Sequence, residues 1–369
     1  MIVVMQAEAT ESDIEGVTSA LARHGLVTSV SRGQECTVVG AIGDVDAAGD
    51  LSHLEVLPGV ERTMRISAPY KLVAAREGHT RSAVPVGSGH VGGRAFTLIA
   101  GPCAIETRDQ AQEACAAAAA AGATVLRGDL YKHRTSPYAF QGLGPAGLDI
   151  LAEQKERFGL PVVAEVLHPQ DVEAIVEVVD VFRIGARNMQ NFDLLRACSL
   201  TGKPVMLKRG LSATIEEWLL AAEYAASSGN LNIILCERGI RTFETATRNT
   251  LDLSAVSVVQ QRSHLPVIVD PSHGTGSRTL VAPMTLAAVA AGADGVMIDV
   301  HPHPEVARCD GPQALLPSEL SLLSARMWEL AAWMGREPDV LRSAGGGRVG
   351  DPTASSTNHQ SSAAGSPTR

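Results

Sequence analysis

The chain has 369 residues, 45% hydrophobic and 19% charged, which suits a large core with a smaller appendage and excludes a disordered chain. Lysine and arginine number 31 against 40 aspartate and glutamate, a net charge of −9 that excludes long-range attraction to nucleic acid or to an anionic membrane. Positive charge for an anionic substrate must therefore be assembled locally, from few residues. No uninterrupted apolar run is long enough to span a bilayer, and Met1-Ile2-Val3-Val4-Met5 has no basic flank before Glu8. Neither a membrane span nor a signal peptide is expected, and the expected location is cytoplasmic. Cys36, Cys103, Cys115, Cys198, Cys236 and Cys309 are scattered without a C-x-x-C pair and read as reduced thiols rather than a disulfide framework.

Ile2–Met5 reads as a short apolar strand. Thr10-Glu11-Ser12-Asp13 resembles a capping box, and Ile14, Val17 and Leu21 follow at helical spacing. Leu26–Val30 and Cys36–Ile42 read as strands about the turn Ser31-Arg32-Gly33, Leu51–Leu57 as a short helix, and Val60–Ile66 as a last strand. Residues 1–67 thus make a βαββαβ unit, a ferredoxin-like module. Such modules bind small effectors or other subunits, and the fold alone selects neither. Residues 68–94 form a Gly-rich connector with a short strand expected near Val84-Pro85-Val86.

Across residues 95–343, buried-type strands alternate with helices. The strand cores are Thr97–Ala100, Thr124–Arg127, Val162–Glu165, Val181–Ile184, Val205–Lys208, Ile233–Cys236, Val267–Val269 and Gly295–Ile298. One helix opens with the capping box Thr214-Ile215-Glu216-Glu217, and the last spans about Ser318–Met334. Eight β-then-α units predict an α/β fold of the (β/α)₈ TIM-barrel type. The alternative is a doubly wound open sheet, although no Gly-rich dinucleotide fingerprint follows the first strand. Residues 344–369, rich in Gly, Ser, Thr and Pro, read as a disordered tail.

In a barrel, residues at the C-terminal ends of the strands face the active site. Here those positions hold Cys103, Arg127, Glu165, Arg187, Lys208, Arg209, Glu237, Arg238, His273 and Asp299. Singly, each reads more simply as a solvated loop residue, a small buried hydrophobe or a satisfied core histidine. Convergence on one barrel face is what turns them into a candidate site. After the second strand, Lys132 and Arg134 flank His133 and run into Thr135 and Ser136, an array of guanidinium, ammonium and hydroxyl donors suited to phosphate and carboxylate oxygens.

Six ordered motifs carry a resemblance. They are Gly101-Pro102-Cys103-Ala104-Ile105-Glu106-Thr107, Lys132-His133-Arg134-Thr135-Ser136-Pro137-Tyr138, Ile184-Gly185-Ala186-Arg187-Asn188, Leu207-Lys208-Arg209-Gly210, Asp270-Pro271-Ser272-His273-Gly274 and Asp299-Val300-His301-Pro302. The set resembles that of the 3-deoxy-D-arabino-heptulosonate 7-phosphate (DAHP) synthases, over residues 1 to about 335, in the branch with an N-terminal ferredoxin-like regulatory domain. The resemblance implies condensation of phosphoenolpyruvate with D-erythrose 4-phosphate and water, the first step of the shikimate pathway. It implies that Arg127 and Lys132 hold the enol carboxylate, and that Arg187, Lys208, Arg238 and the Ala186 N–H hold its phosphate. Arg134, Thr135 and Ser136 would take the aldose phosphate, and Glu165 would position the attacking water. Cys103, His273, Asp299 and Asp310 would bind one divalent metal, with Lys132, Glu165 and His273 the groups nearest the chemistry. One thiolate, one imidazole and two carboxylates suit Mn²⁺, Fe²⁺, Co²⁺ or Zn²⁺ better than Mg²⁺ or Ca²⁺. A homotetramer and feedback by an aromatic amino acid through residues 1–67 are also implied.

The chain departs from that pattern at three positions: His133 stands where the family usually has Pro, Asp129 where it has Gly, and Asp299 where it has a metal-binding Glu. Asp299, one methylene shorter, is expected to ligate more weakly. Cys309, next to Asp310, is a candidate partner for oxidation of Cys103. Two other readings stay open. One is a sister synthase taking arabinose 5-phosphate or an amino sugar, although the short Lys132-His133-Arg134 spacing favours the four-carbon acceptor. The other is a catalytically weak, effector-sensing relative.

Overall fold

The computed structural model describes residues 1–33, 37–45, 47–64, 69–75, 80–134 and 136–338. The expected tail, Cys36, Thr135 and the end of the strand read at Val60–Ile66 lie outside them.

The first unit contains β1 (Ile2–Met5), α1 (Glu11–Arg23), β2 (Val27–Arg32), β3 (Thr37–Ile42), a 3₁₀ turn at Ser52–Val56 and β4 (Val60–Met64). Its strands form an antiparallel sheet in the order β2-β3-β1-β4. At the head of α1, the Thr10 side chain accepts from the Asp13 N–H and the Asp13 carboxylate takes the Thr10 N–H at 2.8 Å, the reciprocal cap expected there. Ile14, Val17 and Leu21 then bury one helix face with Val3, Met5 and Val39. The second helix read at Leu51–Leu57 is only the 3₁₀ turn. Pro58 drives Leu57 to ψ 144°, out of the helical region, before an α-turn can close.

Next comes a hairpin, β5 (Ala83–Val86) with β6 (Gly89–Gly92), longer than the single short strand expected there. The remaining elements alternate: β7 (Ala95–Gly101), α2 (Arg108–Ala120), β8 (Val125–Arg127), α3 (Leu148–Phe158), β9 (Val162–Val166), α4 (Asp171–Ile175), β10 (Val181–Ile184) and α5 (Phe192–Leu200). They continue with β11 (Val205–Lys208), α6 (Ile215–Ser227), β12 (Ile233–Glu237), α7 (Ser254–Arg262), β13 (Val267–Val269), α8 (Pro271–Thr275), α9 (Arg278–Ala290), β14 (Gly295–Asp299) and α10 (Pro317–Trp333). Strands β7 to β14 are parallel to their neighbours, and β14 pairs with β7, so the sheet closes into an eight-stranded barrel. A two-residue strand, β15 (Glu337–Pro338), adds to β7.

Strand periodicity sets what points inward. Ile99, Val125, Val163, Val181, Met206, Ile234, Ile268 and Met297, one per strand, form a buried cluster with Val84, Val86 and Val91 of the hairpin. The hairpin therefore supplies apolar packing to the barrel interior. Two residues further along the same strands, still on the inward face, stand Arg127, Glu165, Arg183, Lys208, Asp270 and Asp299. A dry apolar layer thus underlies a layer that is almost entirely ionic. Among the described residues no helix is long and apolar enough to cross a membrane.

Candidate active site

All six residues of the ionic layer are buried. Above them lies a cavity of about 280 Å³. Its lining includes Lys132, Arg134, Arg183, Arg187, Lys208, Arg238 and Arg248 against the carboxylates of Glu165 and Asp310, and the wall also holds His133, Ser136, Ala186 and His273. Seven cations to two carboxylates make this a local anion site in a chain that is acidic overall. Arg209 and Glu237, which the strand-end inventory included, do not face it. They have the opposite strand parity and pair with each other at 3.0 Å, Arg209 also reaching Asp252 at 2.8 Å.

Asp129 organises the deepest part. It is fully buried, pairs closely with Arg183, and lies 2.8 Å from Lys132 Nζ and 3.3 Å from Arg127 Nη2. Its other oxygen accepts the Glu165 N–H at 3.0 Å. Arg183 in turn donates to Glu165 Oε2 at 2.9 Å, while Arg127 pairs with Asp299. Arg127, Lys132 and Arg183 (+3) thus meet Asp129, Glu165 and Asp299 (−3), and the floor is neutral. Burial works to raise the Asp129 carboxyl, but Arg183, Lys132 and Arg127 together hold it well below the usual carboxylate range. Burial likewise opposes the charge on Lys132, yet Asp129 and Cys103 hold its ammonium well above the ordinary lysine value. Burial pulls Lys208 below its ordinary value despite the close Asp270 carboxylate. Glu165 fits because residue 185 is glycine: a β-carbon there would lie 1.9 Å from Glu165 Oε1.

The candidate metal ligands meet at one side of the cavity. Short helix α8 is capped by Asp270, whose Oδ1 accepts the His273 N–H at 2.9 Å. Asp270 Oδ2 lies 2.9 Å from His273 Nδ1, an arrangement that leaves Nε2 for a ligand. Nε2 stands 3.7 Å from Cys103 Sγ and 3.6 Å from Asp310 Oδ2, and Cys103 and Asp310 are 3.2 Å apart. Two donors on a tetrahedral first-row ion stand roughly 3.3–3.8 Å apart, so one divalent ion fits this triangle. Asp299 also lies near Cys103 and His273. It is nearer the other imidazole nitrogen, 3.6 Å from Nδ1, and its oxygens are engaged by Arg127 and by Gln313 Nε2 at 2.6 Å. The Cys103 thiol is pushed well above its ordinary range, first by its contact with Cys309 and then by burial, a bias that a bound cation reverses. Burial opposes the Asp310 charge, but His273, Lys132 and Arg248 hold its carboxyl well below the usual range.

Arg134 lines the cavity mouth with Nη1 3.4 Å from the carbonyls of Phe140 and Arg308, and Ser136 lies beside it. Arg238 donates to the His273 carbonyl at 3.4 Å. His133 faces His168 edge-on at 6.4 Å between ring centroids, and its Nδ1 is buried without a hydrogen-bond partner. Sequence reasoning missed Arg183, Arg248 and Gln313. The period of two from Val181 points Arg183 inward and could have revealed it. Arg248 and Gln313 reach the site from loops, and nothing in the local pattern marks them.

Comparison with known proteins agrees with this geometry. Residues 80–335 match the DAHP synthetase I family, and residues 1–68 match the DAHP synthase ferredoxin-like domain. The chain belongs to the DAHP synthetase I family. It is 48% identical over 336 residues to the phospho-2-dehydro-3-deoxyheptonate aldolase of Thermotoga maritima, covering 91% of this chain and 99% of that one. A crystal structure of the Thermotoga maritima DAHP synthase superposes with a TM-score of 0.85 at 47% identity, covering 91% of this chain and 98% of that one. A truncated form of that synthase gives 0.68 at 46% identity, over 73% of this chain and 99% of the other. The 2-dehydro-3-deoxyphosphooctonate aldolase of Magnetococcus marinus is more distant, 36% identical over 62% of this chain and 85% of its own.

Proposed function

We propose that the chain condenses phosphoenolpyruvate with D-erythrose 4-phosphate and water, releasing phosphate and DAHP, in a metal-assisted reaction opening the shikimate pathway. The observation that carries this reading is a cavity lined by seven cations and two carboxylates, still rich in cations once the underlying Asp129 and Asp270 are counted, adjoining the Cys103–His273–Asp310 triangle. Two phosphate dianions held close repel by several kcal/mol at reduced dielectric, and clustered guanidinium and ammonium groups offset that. Arg187, Lys208, Arg238 and the Ala186 N–H serve the enol phosphate, and Arg134 and Ser136 the aldose phosphate. Thr135 belongs to the same reading and lies outside the described residues.

Arg127 and Lys132 serve the enol carboxylate. Both must partly exchange their present carboxylate partners for that of the substrate, and the cations lining the cavity above offset the added negative charge. Bound to Cys103, His273 and Asp310, with Asp299 beside them, a divalent ion of the Mn, Fe, Co or Zn kind would supply a Lewis acid for the aldehyde oxygen. Lys132 keeps its proton and acts as a donor beside that centre. Glu165, oriented by Arg183, holds the water that adds to C2 before phosphate leaves with its bridging oxygen. Orientation of both substrates removes much of the bimolecular entropy barrier. Feedback by an aromatic amino acid through the ferredoxin-like domain, a homotetrameric assembly and a cytoplasmic location complete the reading, with the domain match supporting the first.

The test is phosphate release with erythrose 4-phosphate against arabinose 5-phosphate, with and without chelator. Turnover that prefers the four-carbon aldose and falls at least tenfold on metal removal is expected. Equal turnover of both aldoses, or indifference to chelation, refutes the assignment.

A further inference from the structure

Cys309 is buried beside the triangle of candidate metal ligands, and the proposed reaction gives it no part. Its Sγ lies 3.8 Å from Cys103 Sγ and 3.5 Å from Asp310 Oδ2. With the three separations among Cys103, His273 and Asp310, five donor-to-donor distances fall between 3.2 and 3.8 Å. Donors around a single ion with bonds of about 2.0–2.3 Å give edges of roughly 3.0–3.8 Å, the shorter end for octahedral and the longer for tetrahedral coordination. Neighbours in extended chain point to opposite sides, yet Cys309 and Asp310 both reach Cys103. The cause is local: Asp310 is the one non-glycine residue with positive φ among the described residues, at 53°, and this turn brings both donors to one point. A left-handed aspartate costs energy and persists where its surroundings over-determine it.

We propose that Cys309 is a direct ligand of the divalent metal, completing a Cys103, Cys309, His273, Asp310 set, and that Asp299 serves instead to hold Arg127. This deepens the metal-dependent reading above and rests on it. Asp299 Oδ1 forms an ion pair with Arg127 and Oδ2 accepts from Gln313, whereas Cys309 Sγ lies against Cys103 and Asp310 in a small cluster closed by Ala104 and Phe140. A thiol at 309 thus supplies the donor that Asp299, held by Arg127 and Gln313, does not. Two thiolates and a carboxylate against a divalent ion leave one negative charge. Lys132 Nζ, 3.1 Å from Cys103 Sγ, and Arg248 Nη1, 3.2 Å from Asp310 Oδ1, stand where they can offset it. Two soft sulfur donors shift preference toward Zn²⁺, Fe²⁺ or Co²⁺ and away from Mn²⁺. Each thiol gives its proton to solvent on ligation.

The experiment loads the full-length apoprotein with Co²⁺ and reads the thiolate-to-cobalt charge-transfer absorption, which scales with the number of bound thiolates. Wild-type protein is expected to show two, Cys309→Ser about half the intensity with Zn²⁺ affinity down by about 100-fold or more, and Asp299→Asn the full intensity with a raised KM for phosphoenolpyruvate. Alkylation with and without Zn²⁺ covers the case in which Cys309→Ser does not fold: the metal should protect Cys309 as fully as Cys103. Unchanged absorption in Cys309→Ser, or a Cys309 that the metal leaves open to alkylation, overturns the inference alone. Wild-type protein that takes up no ion overturns the metal-dependent reading with it.

Discussion

Removing the charge of Asp129 while keeping its size, as Asp129→Asn, leaves the buried floor at +3 against −2, with Arg183, Lys132 and Arg127 sharing Glu165 and Asp299. Breaking a buried pair from one side costs about 3–5 kcal/mol, and because asparagine keeps an acceptor for the Glu165 N–H the lower end, about 3 kcal/mol, is expected. Arg183→Met should cost about 2 kcal/mol, since Asp129 retains Lys132 at 2.8 Å and Arg127 at 3.3 Å. The double variant should lose only about 3 kcal/mol rather than the sum of about 5, a coupling of about 2 kcal/mol. Equilibrium urea unfolding followed by tryptophan fluorescence suits the measurement, because Trp218, Trp328 and Trp333 all lie in the barrel helices α6 and α10. Additive losses, with coupling below about 0.5 kcal/mol, would refute the claim that Asp129 and Arg183 act as one buried pair.

Acid should destabilise the protein steeply. Asp129, Asp270 and Asp310 all have folded-state values depressed below the ordinary 3.8, so their contribution is complete above about pH 4 and is lost as pH falls toward those depressed values. Three protons taken up by the unfolded chain alone give up to about 4 kcal/mol per pH unit below pH 4, and equal urea midpoints at pH 5 and pH 3 would contradict this. Gly185→Ala places a β-carbon against Glu165 Oε1 and should cut turnover about 100-fold with the fluorescence transition preserved; turnover within threefold of wild type contradicts the claim that Glu165 needs glycine at 185 to keep its place. Deleting residues 1–67 should leave turnover but abolish inhibition by tyrosine or phenylalanine, and inhibition that survives deletion rules out the ferredoxin-like domain as the effector site.

Most of the fold was legible because the barrel strands and the capped helices carried local signals that the tertiary structure did not override. The runs Val162–Glu165 and Val205–Lys208 are short and apolar up to one terminal charge, which is what a strand buried on both faces and ending at an active site must be. The Thr10 and Thr214 caps are decided by residues three apart and form as read. Where the reading fell short, a neighbour intervened: Pro58 cut a helix to a 3₁₀ turn. The site was legible to the depth of its strand-end charges and no further. Strand parity sends Arg209 and Glu237 outward and Arg183 inward, a distinction that counting charged residues at strand ends does not make.

Two of the three departures from the family pattern, Asp129 and Asp299, acquire a physical logic only in three dimensions, and nothing in the structure explains His133. Asp129 and Asp299 are far apart in sequence, yet both touch Arg127, and Asp129 brings with it the inward cation Arg183. Asp129 without Arg183 beside it would strand a charge in a dry layer, at a cost of several kcal/mol, so the two work as one unit. The same reasoning joins Asp299 to Cys309. On the inference above, Asp299 holds Arg127 instead of the metal, and the donor set keeps its number only if another residue supplies a ligand atom. Sequence shows each departure as a separate irregularity, because the partners that meet its charge lie far off in the chain: Arg183, 54 positions from Asp129, and Arg127, on a different strand from Asp299. What the structure adds is that the Asp129 charge meets Arg183 and the Asp299 charge meets Arg127, so neither departure leaves a buried carboxylate without a cation.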